Sequence, residues 1–441
     1  MSNLFNIGTS GMRNAQLQLA MTSNNMSNMQ TEGYTRQKVD TTSAPMSGGS
    51  VRVGNGVFTS GIQREFESGL NDQMNQSFSK QASYQSLHDG ISTLNEVFGS
   101  SDVSLDKHIN QFFSAAADVA QDPSSQPARQ TLLGNAESLV NQFHSMSSQL
   151  ENIEKNTDAS INSNVDRIND YAKRIGSLNE EITKTRAQSG AEPSDLMDTR
   201  DQAVTELSRL TGVNVTAQNG DQYNVTMSDG TSLVAGDEAF SISADNASNF
   251  KGGALGGLVE FRQGTLGEMR GNLDSLAYTV ATETNRVQTQ GFDLNGQQGN
   301  ALFSVPANES GSASRVSVAI KDPREIAAAS ESDSGKKDNR NALAIADLKN
   351  QRFDVAGSQS TFSEAYSRTV SRVGTAENDA SARLKAQSNV SDALKQKQQS
   401  VSGVNLDEEV ANMQQQQAFY KANARIIQTA NTMMDTLLSI R

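Results

Sequence analysis

The 441-residue chain contains no cysteine, no tryptophan and only six prolines. Without cysteine there is no disulfide scaffold, no thiolate metal site and no thiol nucleophile, so stability has to come from packing or assembly. The scarcity of proline leaves long stretches, such as 128–192 and 324–441, free to run as helix. Bases are also in short supply, with 37 Lys and Arg against 50 Asp and Glu and a formal charge of −13. Phosphate and anionic lipid are held by clustered Lys and Arg, so neither nucleic acid nor a membrane surface is an expected partner. No run approaches the roughly 18 apolar residues of a membrane span. The opening Met1-Ser2-Asn3-Leu4-Phe5 has no basic region leading into an apolar one, which argues against a cleaved secretory signal peptide. A dedicated export route with another address would leave the same pattern.

What is present is a seven-residue apolar period. Phe5, Met12, Leu19 and Met26 form one row near the N-terminus, with Gly8, Ala15, Thr22 and Met29 at the intermediate position. Leu406, Met413, Tyr420, Ile427 and Met434 form another at the far end, interleaved with Val410, Gln417, Ala424, Asn431 and Leu438. Such a/d seams are what coiled coils require. Asn405, with Glu408 three residues on, makes a helix cap for the second row, and no Gly or Pro follows it. Residues 1–43 carry three bases against two acids and 404–441 three against four, so the ends sum to zero and the whole negative charge lies between them. Neutral, apolar-striped ends beneath an acidic body suit a polymer whose ends pack inside; periodicity alone suits an ordinary intramolecular helix pair as well.

The helical period continues inward. Ile161, Ile168, Ile175 and Ile182 predict one or two long helices over 128–188, and Phe66 to Phe98 one or two more. Val259, Leu266, Leu273, Val280 and Val287 form a further row, and Val373, Ala380, Leu394 and Val401 another, weakened by Gln387. Between these the period falls to two: Val213, Val215 and Ala217, a turn at Asn219-Gly220, then Tyr223, Val225 and Met227, a turn at Asp229-Gly230, and Leu233-Val234. The fold class expected is therefore mainly α with a small inserted antiparallel β domain, its terminal helices paired as a coiled coil over a discontinuous long-helix body. The domains expected are 1–43 with 404–441 as a terminal coiled coil, 44–211 with 254–403 as the helical body, and 212–253 as a solvent-facing β domain. A strand at 313–321 could join that sheet. Asp322-Pro323-Arg324-Glu325 has the cap, proline and acid that start a helix.

Chemistry is hard to find. His88, His108 and His144 lie in helical segments without metal-ligand spacing. There is no nucleophile elbow and no phosphate loop, and Gly54, Gly56 and Gly61 miss the dinucleotide spacing. Asp293-Leu294-Asn295-Gly296 has part of a calcium loop but lacks its regular acids, and reads as a turn. The carboxylate pairs Glu180-Glu181 and Glu408-Glu409 read as solvated charge on helices. No catalytic residue, cofactor or metal is expected, and the chain is not read as an enzyme.

The terminal segments do more than repeat. Asn24-Asn25-Met26-Ser27-Asn28 followed by Thr31-Glu32-Gly33-Tyr34-Thr35-Arg36-Gln37 resembles the N-terminal signature of the bacterial flagellar rod, hook and hook-associated axial family. Ser402-Gly403-Val404-Asn405-Leu406-Asp407-Glu408-Glu409, running on to Asp435-Thr436-Leu437-Leu438, resembles the tail of its hook-associated branch. Asp195 to Asp201, Gly291 to Gly296 and Asp322-Pro323 extend the likeness through the interior. The resemblance implies a structural adaptor at the hook–filament junction, forming a ring on the hook tip and required for filament attachment. It also implies location on the flagellum outside the cell, reached through the flagellar type III export apparatus without signal cleavage. Implied partners are further copies of the chain, the hook protein, a second junction protein and a cytosolic export chaperone. Phe5, Met12, Leu19, Met26, Leu406, Val410, Met413, Tyr420, Ile427, Met434 and Leu438 are the expected assembly seam, with Leu406, Met413, Tyr420, Ile427 and Leu438 the chaperone's expected grip. The alternatives are a hook or rod subunit or, further off, an exported wall-cleaving or adhesive protein.

Two departures from that family stand out. The β region is short, so an outermost β domain is expected to be absent or reduced. Gln414 to Gln417 should weaken one face of the last helix, with Phe419 compensating. A seam this rich in Gly, Thr, Gln and Asn should be marginal alone and gain order when neighbours bury it.

Overall fold

The structure, a computed structural model, describes residues 2–44, 54–99, 104–218, 222–332 and 337–439. In chain order it runs α1 (Ser2–Ser27), β1 (Gln37–Ser43), β2 (Val57–Arg64), α2 (Ser68–Gly99), α3 (Leu105–Gln121), α4 (Gln126–Ser189) and α5 (Ser194–Leu210). Four strands follow: β3 (Val213–Ala217), β4 (Tyr223–Met227), β5 (Ser232–Ala235) and β6 (Glu238–Ala239). Then come α6 (Gly253–Phe261), a π-helical turn (Arg262–Leu266), α7 (Gly267–Gln288), β7 (Phe303–Ser304), α8 (Ser312–Arg315) and β8 (Ser317–Val318). The chain closes with α9 (Arg340–Asp347), β9 (Phe353–Val355), β10 (Ser358–Ser360), α10 (Phe362–Ser402) and α11 (Leu406–Ser439). The chain is mainly helical, with a small inserted antiparallel sheet in the order β3-β4-β5-β6. The expected turn at Asn219-Gly220 lies outside the described residues.

The chain divides into two compact units. One comprises 1–82, 164–253 and 386–441, the other 83–163 and 254–385, with boundaries falling inside α2, α4 and α10. The second unit is organised by a continuous apolar core. Phe112, Phe113, Phe303, Phe353 and Phe362 form a chain of ring contacts 5.0 to 5.7 Å apart, and the 259–287 row is buried along its whole length. Arg129 is fully buried here and donates to the carbonyls of Pro123 and Ile326. Burial pushes its pKa down to about 10, with Asp293 opposing.

In the first unit the sheet is hung on α4 by two asparagines. Asn169 exchanges a pair of hydrogen bonds with the backbone of Ile242. Asn179 donates to the carbonyls of Tyr223 and Gly236 and accepts from the Tyr223 amide. Val225 and Met227, two apart on β4, are buried on one face as strand alternation requires, and the adjacent Leu233 and Val234 of β5 are both buried. Gln387, which interrupts an apolar row, donates to Ser77 Oγ at 2.7 Å.

Three expectations are corrected. The strand at 317–318 pairs with Phe303–Ser304 in a ribbon of its own and does not join the four-stranded sheet. Pro323 opens a single 3-10 turn capped by Asp322 rather than a helix, because Ile326, Ala327 and Ala328 are buried in succession and leave no helical face. Phe419 is 50% exposed and compensates for nothing within the chain.

Candidate assembly interface

α1 and α11 pair antiparallel, and small residues set their spacing. A Cβ at Gly8 would stand 2.7 Å from Cγ1 of Ile427, and one at Gly11 would stand 2.4 Å from Oδ1 of Asn423. Ala15 and Ala430 are buried to 2% and 1% exposure. The buried row of α1 is therefore the small one, Gly8, Ala15 and Thr22, while Phe5, Met12, Leu19 and Met26 remain half-buried along its flank. On α11 Met413, Tyr420 and Ile427 are half-buried as well, whereas Leu406, Val410, Met434 and Leu438 are exposed. Close approach of two backbones explains the split, since large side chains cannot enter a seam whose helices touch through glycine.

Because Gly8 lies opposite Ile427 and α1 begins at Ser2, the end of α11 continues past its partner. Every described residue from Asn431 to Ser439 is exposed, including Met433, Met434, Leu437 and Leu438. Antiparallel pairing with Gly8 opposite Ile427 sets Ser2 near residue 433, so residues 434–439, about 9 Å of helix at 1.5 Å per residue, run past α1 with Met434, Leu437 and Leu438 exposed.

The other end of the pair is fastened by a polar clasp built from the N-terminal motif. Asn25, buried in α1, accepts from Tyr34 Oη at 2.8 Å and from the Gln37 amide at 3.1 Å, and donates to the Gln37 carbonyl at 2.9 Å. Arg36 Nε meets Glu409 Oε1 at 2.9 Å and Nη1 meets Glu408 Oε2 at 2.9 Å, so the motif grips the first turn of α11. The Arg36 amide donates to the Ser402 carbonyl, just before the Gly403 break, and its own carbonyl accepts from the Glu65 amide. The Thr35 amide donates to Asp198 Oδ2, and Arg64 bridges Asp198 at 2.6 Å and Asp201 at 2.8 Å. A polar cleft of about 340 Å³ opens beside Asn25, Arg36 and Glu409.

The charges here are tuned by burial. Burial opposes the Arg64 cation, yet Asp201 and Asp198 hold its pKa above the ordinary arginine value. Burial pushes the Asp198 carboxyl up, against the Arg64 and Thr35 hydrogen bonds. Tyr34 is pushed up to about 12, first by burial and then by Asp198 and Glu409. Next to them Arg200, itself buried, stacks 3.5 Å over the Tyr223 ring and donates to Asn179. Burial, with Asp201 nearby, takes the Tyr223 phenol to about 12.

Glu409 is 2% exposed, which corrects the reading of Glu408-Glu409 as a solvated pair. Asn25, Tyr34, Arg36 and Asp198 are visible in the sequence only as parts of signatures, with no role attached, and Arg64 falls in none of them. The one available signal was charge inside otherwise neutral or apolar segments. Elsewhere His144 meets the Val316 carbonyl across 172 positions of chain, and His108 meets that of Ser104 within its own helix turn. Asp293 accepts from the amides of Asn295 and Gln297 as a turn should. Among the described residues no group of three or more His, Cys, Asp or Glu could hold a metal ion, and no helix is long and apolar enough to cross a membrane.

Comparison with known proteins bears on this geometry at both ends and in between. The profile of the flagellar hook-associated protein FlgK helical domain matches residues 91–249 and 242–303. Profiles of the flagella basal body rod protein and of the flagellar basal body rod FlgEFG protein C-terminal region match 5–35 and 395–440, which are α1 with its motif and α11 with its approach. Flagellar hook-associated protein 1 of Salmonella typhimurium is 32% identical over 555 aligned positions, covering 100% of both chains. The chain belongs to the flagellar hook-associated protein 1 family. Its Escherichia coli relative of the same name is also 32% identical with full coverage of both, and that of Bacillus subtilis is 25% identical over 96% of this chain and 95% of its own. The 555 positions exceed the 441 residues here, so the Salmonella member of the family carries segments that this chain lacks. The flagellar hook junction protein FlgK from Burkholderia pseudomallei shares the fold, with a TM-score of 0.69 at 20% identity, over 75% of this chain and 100% of that one.

Proposed function

We propose that the chain is a structural subunit of the bacterial hook–filament junction, a mechanical adaptor whose copies form a ring on the hook tip. Full-length kinship with the hook-associated protein 1 family supports the role. The observation that carries the mechanism is the apolar overhang of α11, together with the half-buried row on α1. A helix pair that leaves Phe5, Met12, Leu19 and Met26 partly in water and Met434 and Leu438 largely so has packing still to do. Lateral contact with neighbouring copies would bury these rows, and Leu406 and Val410 extend the same surface around the start of α11.

The reading sorts the chain by role into an axial core of 1–43 and 404–441, a helical body, and a solvent-facing sheet of 212–253. Hook protein on one side and a second junction protein on the other are the neighbours it proposes. Before assembly, a cytosolic export chaperone would cover Leu406, Met413, Tyr420, Ile427 and Leu438, and the flagellar type III apparatus would carry the chain out.

Deleting the gene tests the role directly. Intact hooks without filaments, with filament subunits lost to the medium, are expected; normal filaments would overturn the reading. Leu438→Asp tests the surface, and its normal incorporation into hooks would mean that the overhang is not an assembly contact.

A further inference from the structure

The helix that crosses residues 253–288 is not uniform. Between α6 and α7 the five residues Arg262–Leu266 form a π-helical turn, a rare departure from α geometry that tends to occur as a single turn. Three glycines, Gly264, Gly267 and Gly271, fall in and just after it, all exposed. A Cβ at Gly264 or Gly271 would meet nothing within 4 Å, and one at Gly267 only the Arg262 carbonyl at 3.5 Å. No close approach within this chain requires glycine at these positions, yet glycine is the poorest helix former after proline.

Packing on either side explains the turn itself. Upstream, Phe261 is fixed: it is 1% exposed, and a Cβ at Gly90 would lie 2.6 Å from its ring. Downstream, Leu266, Met269 and Leu273 are set in the core. A carboxylate clasp on α4 spans the junction. Asp158 Oδ1 meets Arg262 Nε at 2.5 Å, while Glu154 reaches Arg262 at 3.9 Å and Arg270 at 2.5 Å. Arg262 opens the π-turn and Arg270 lies beyond it on the same stripe of the helix, so one acid, Glu154, is reached from both sides of residues 263–269.

We propose that residues 262–271 are a mechanical joint, a point at which this helix can bend or shift register while the packed segments on either side hold. The glycines lower the cost of leaving helical geometry. The clasp is made of partly exposed side chains, 30% to 46% accessible, each a modest hold that is readily remade, so it returns the joint to its resting register without locking it. The proposal stands independently of the junction reading, because it concerns one helix of one unit.

Amide exchange on the full-length chain tests it. Residues 262–271 are expected to exchange at least about tenfold faster than residues 273–281 of the same helix. Glu154→Gln with Asp158→Asn should speed the first segment further and leave the second unchanged. Gly264→Ala, Gly267→Ala and Gly271→Ala together should slow the first segment by about tenfold or more. Equal protection of the two segments in the unaltered chain, or insensitivity of 262–271 to either set of changes, would overturn the proposal. The unaltered chain decides the matter alone should a variant fail to fold.

Discussion

The 83–163 and 254–385 unit buries Phe112, Phe113, Phe143, Phe261 and Phe362 to below 2% exposure, or at it for Phe143. Among the described residues of the α1–α11 pair, the only apolar side chains buried that deeply are Ala15 and Ala430. Hydrophobic stabilisation scales with the apolar area removed from water, so the first region is complete as a single chain and the second is not. The pair gains little from its own contact, and what it withholds is surface available for contact with another molecule.

The comparison can be broken most forcefully from the core side. Phe362→Ala, which removes a ring stacked between Phe113 and Phe353, should cost about 3–5 kcal/mol in denaturant unfolding. Met12→Ala, on the half-buried flank of α1, should cost less than about 1 kcal/mol and instead reduce incorporation into the flagellum. Next in size is the clasp. Arg36→Met leaves Glu409 buried without its ion partner, a loss of about 3 kcal/mol, and should appear as faster amide exchange over 406–413. Gly8→Val drives a side chain into Ile427 and should weaken the pair by about 1–3 kcal/mol, seen as loss of protection near 420–430 with the phenylalanine core unaffected.

Two smaller effects sharpen the contrast. In the free chain, residues 5–29 and 406–438 should exchange far faster than the core; strong protection there would mean that the pair is self-sufficient. Alkali offers a second probe, because Tyr34 and Tyr223 are both raised from 10.0 to about 12. A raised phenol favours the fold while neutral, so its contribution is whole below pH 10 and is lost as pH climbs through 12. Tyr34→Phe should reduce, and Tyr34→Phe with Tyr223→Phe should reduce further, the loss of stability in denaturant unfolding over that interval.

How much of this was legible follows the same divide. The seven-residue rows announced α1, α4, α7 and α11, although the rows of α4 and α7 are buried while those of α1 and α11 stay half-buried or exposed, and Gly403 marked the break between α10 and α11. The hairpin of β1 and β2 gave no warning: of its first strand only Val39 is buried, and polar neighbours leave no alternation to read. The seam was found but weighted towards its large residues, since periodicity counts apolar side chains and is blind to glycine that lets backbones touch. The clasp was least readable, because Asn25 and Glu409 meet across 384 positions. The π-turn was missed because Val259 and Leu266 keep a seven-residue spacing across it.

That span has a consequence for time as well as for space. The contacts of Arg36 with Glu408 and Glu409 join the first tenth of the polypeptide to the last tenth, so the clasp cannot form until nearly the whole chain is present in one place. The core has no such requirement, being complete once residue 380 has arrived. Any passage that delivers the chain from its N-terminus leaves α1 waiting without α11 until the very end. Closure of the clasp therefore reports that α1 and α11 have both arrived.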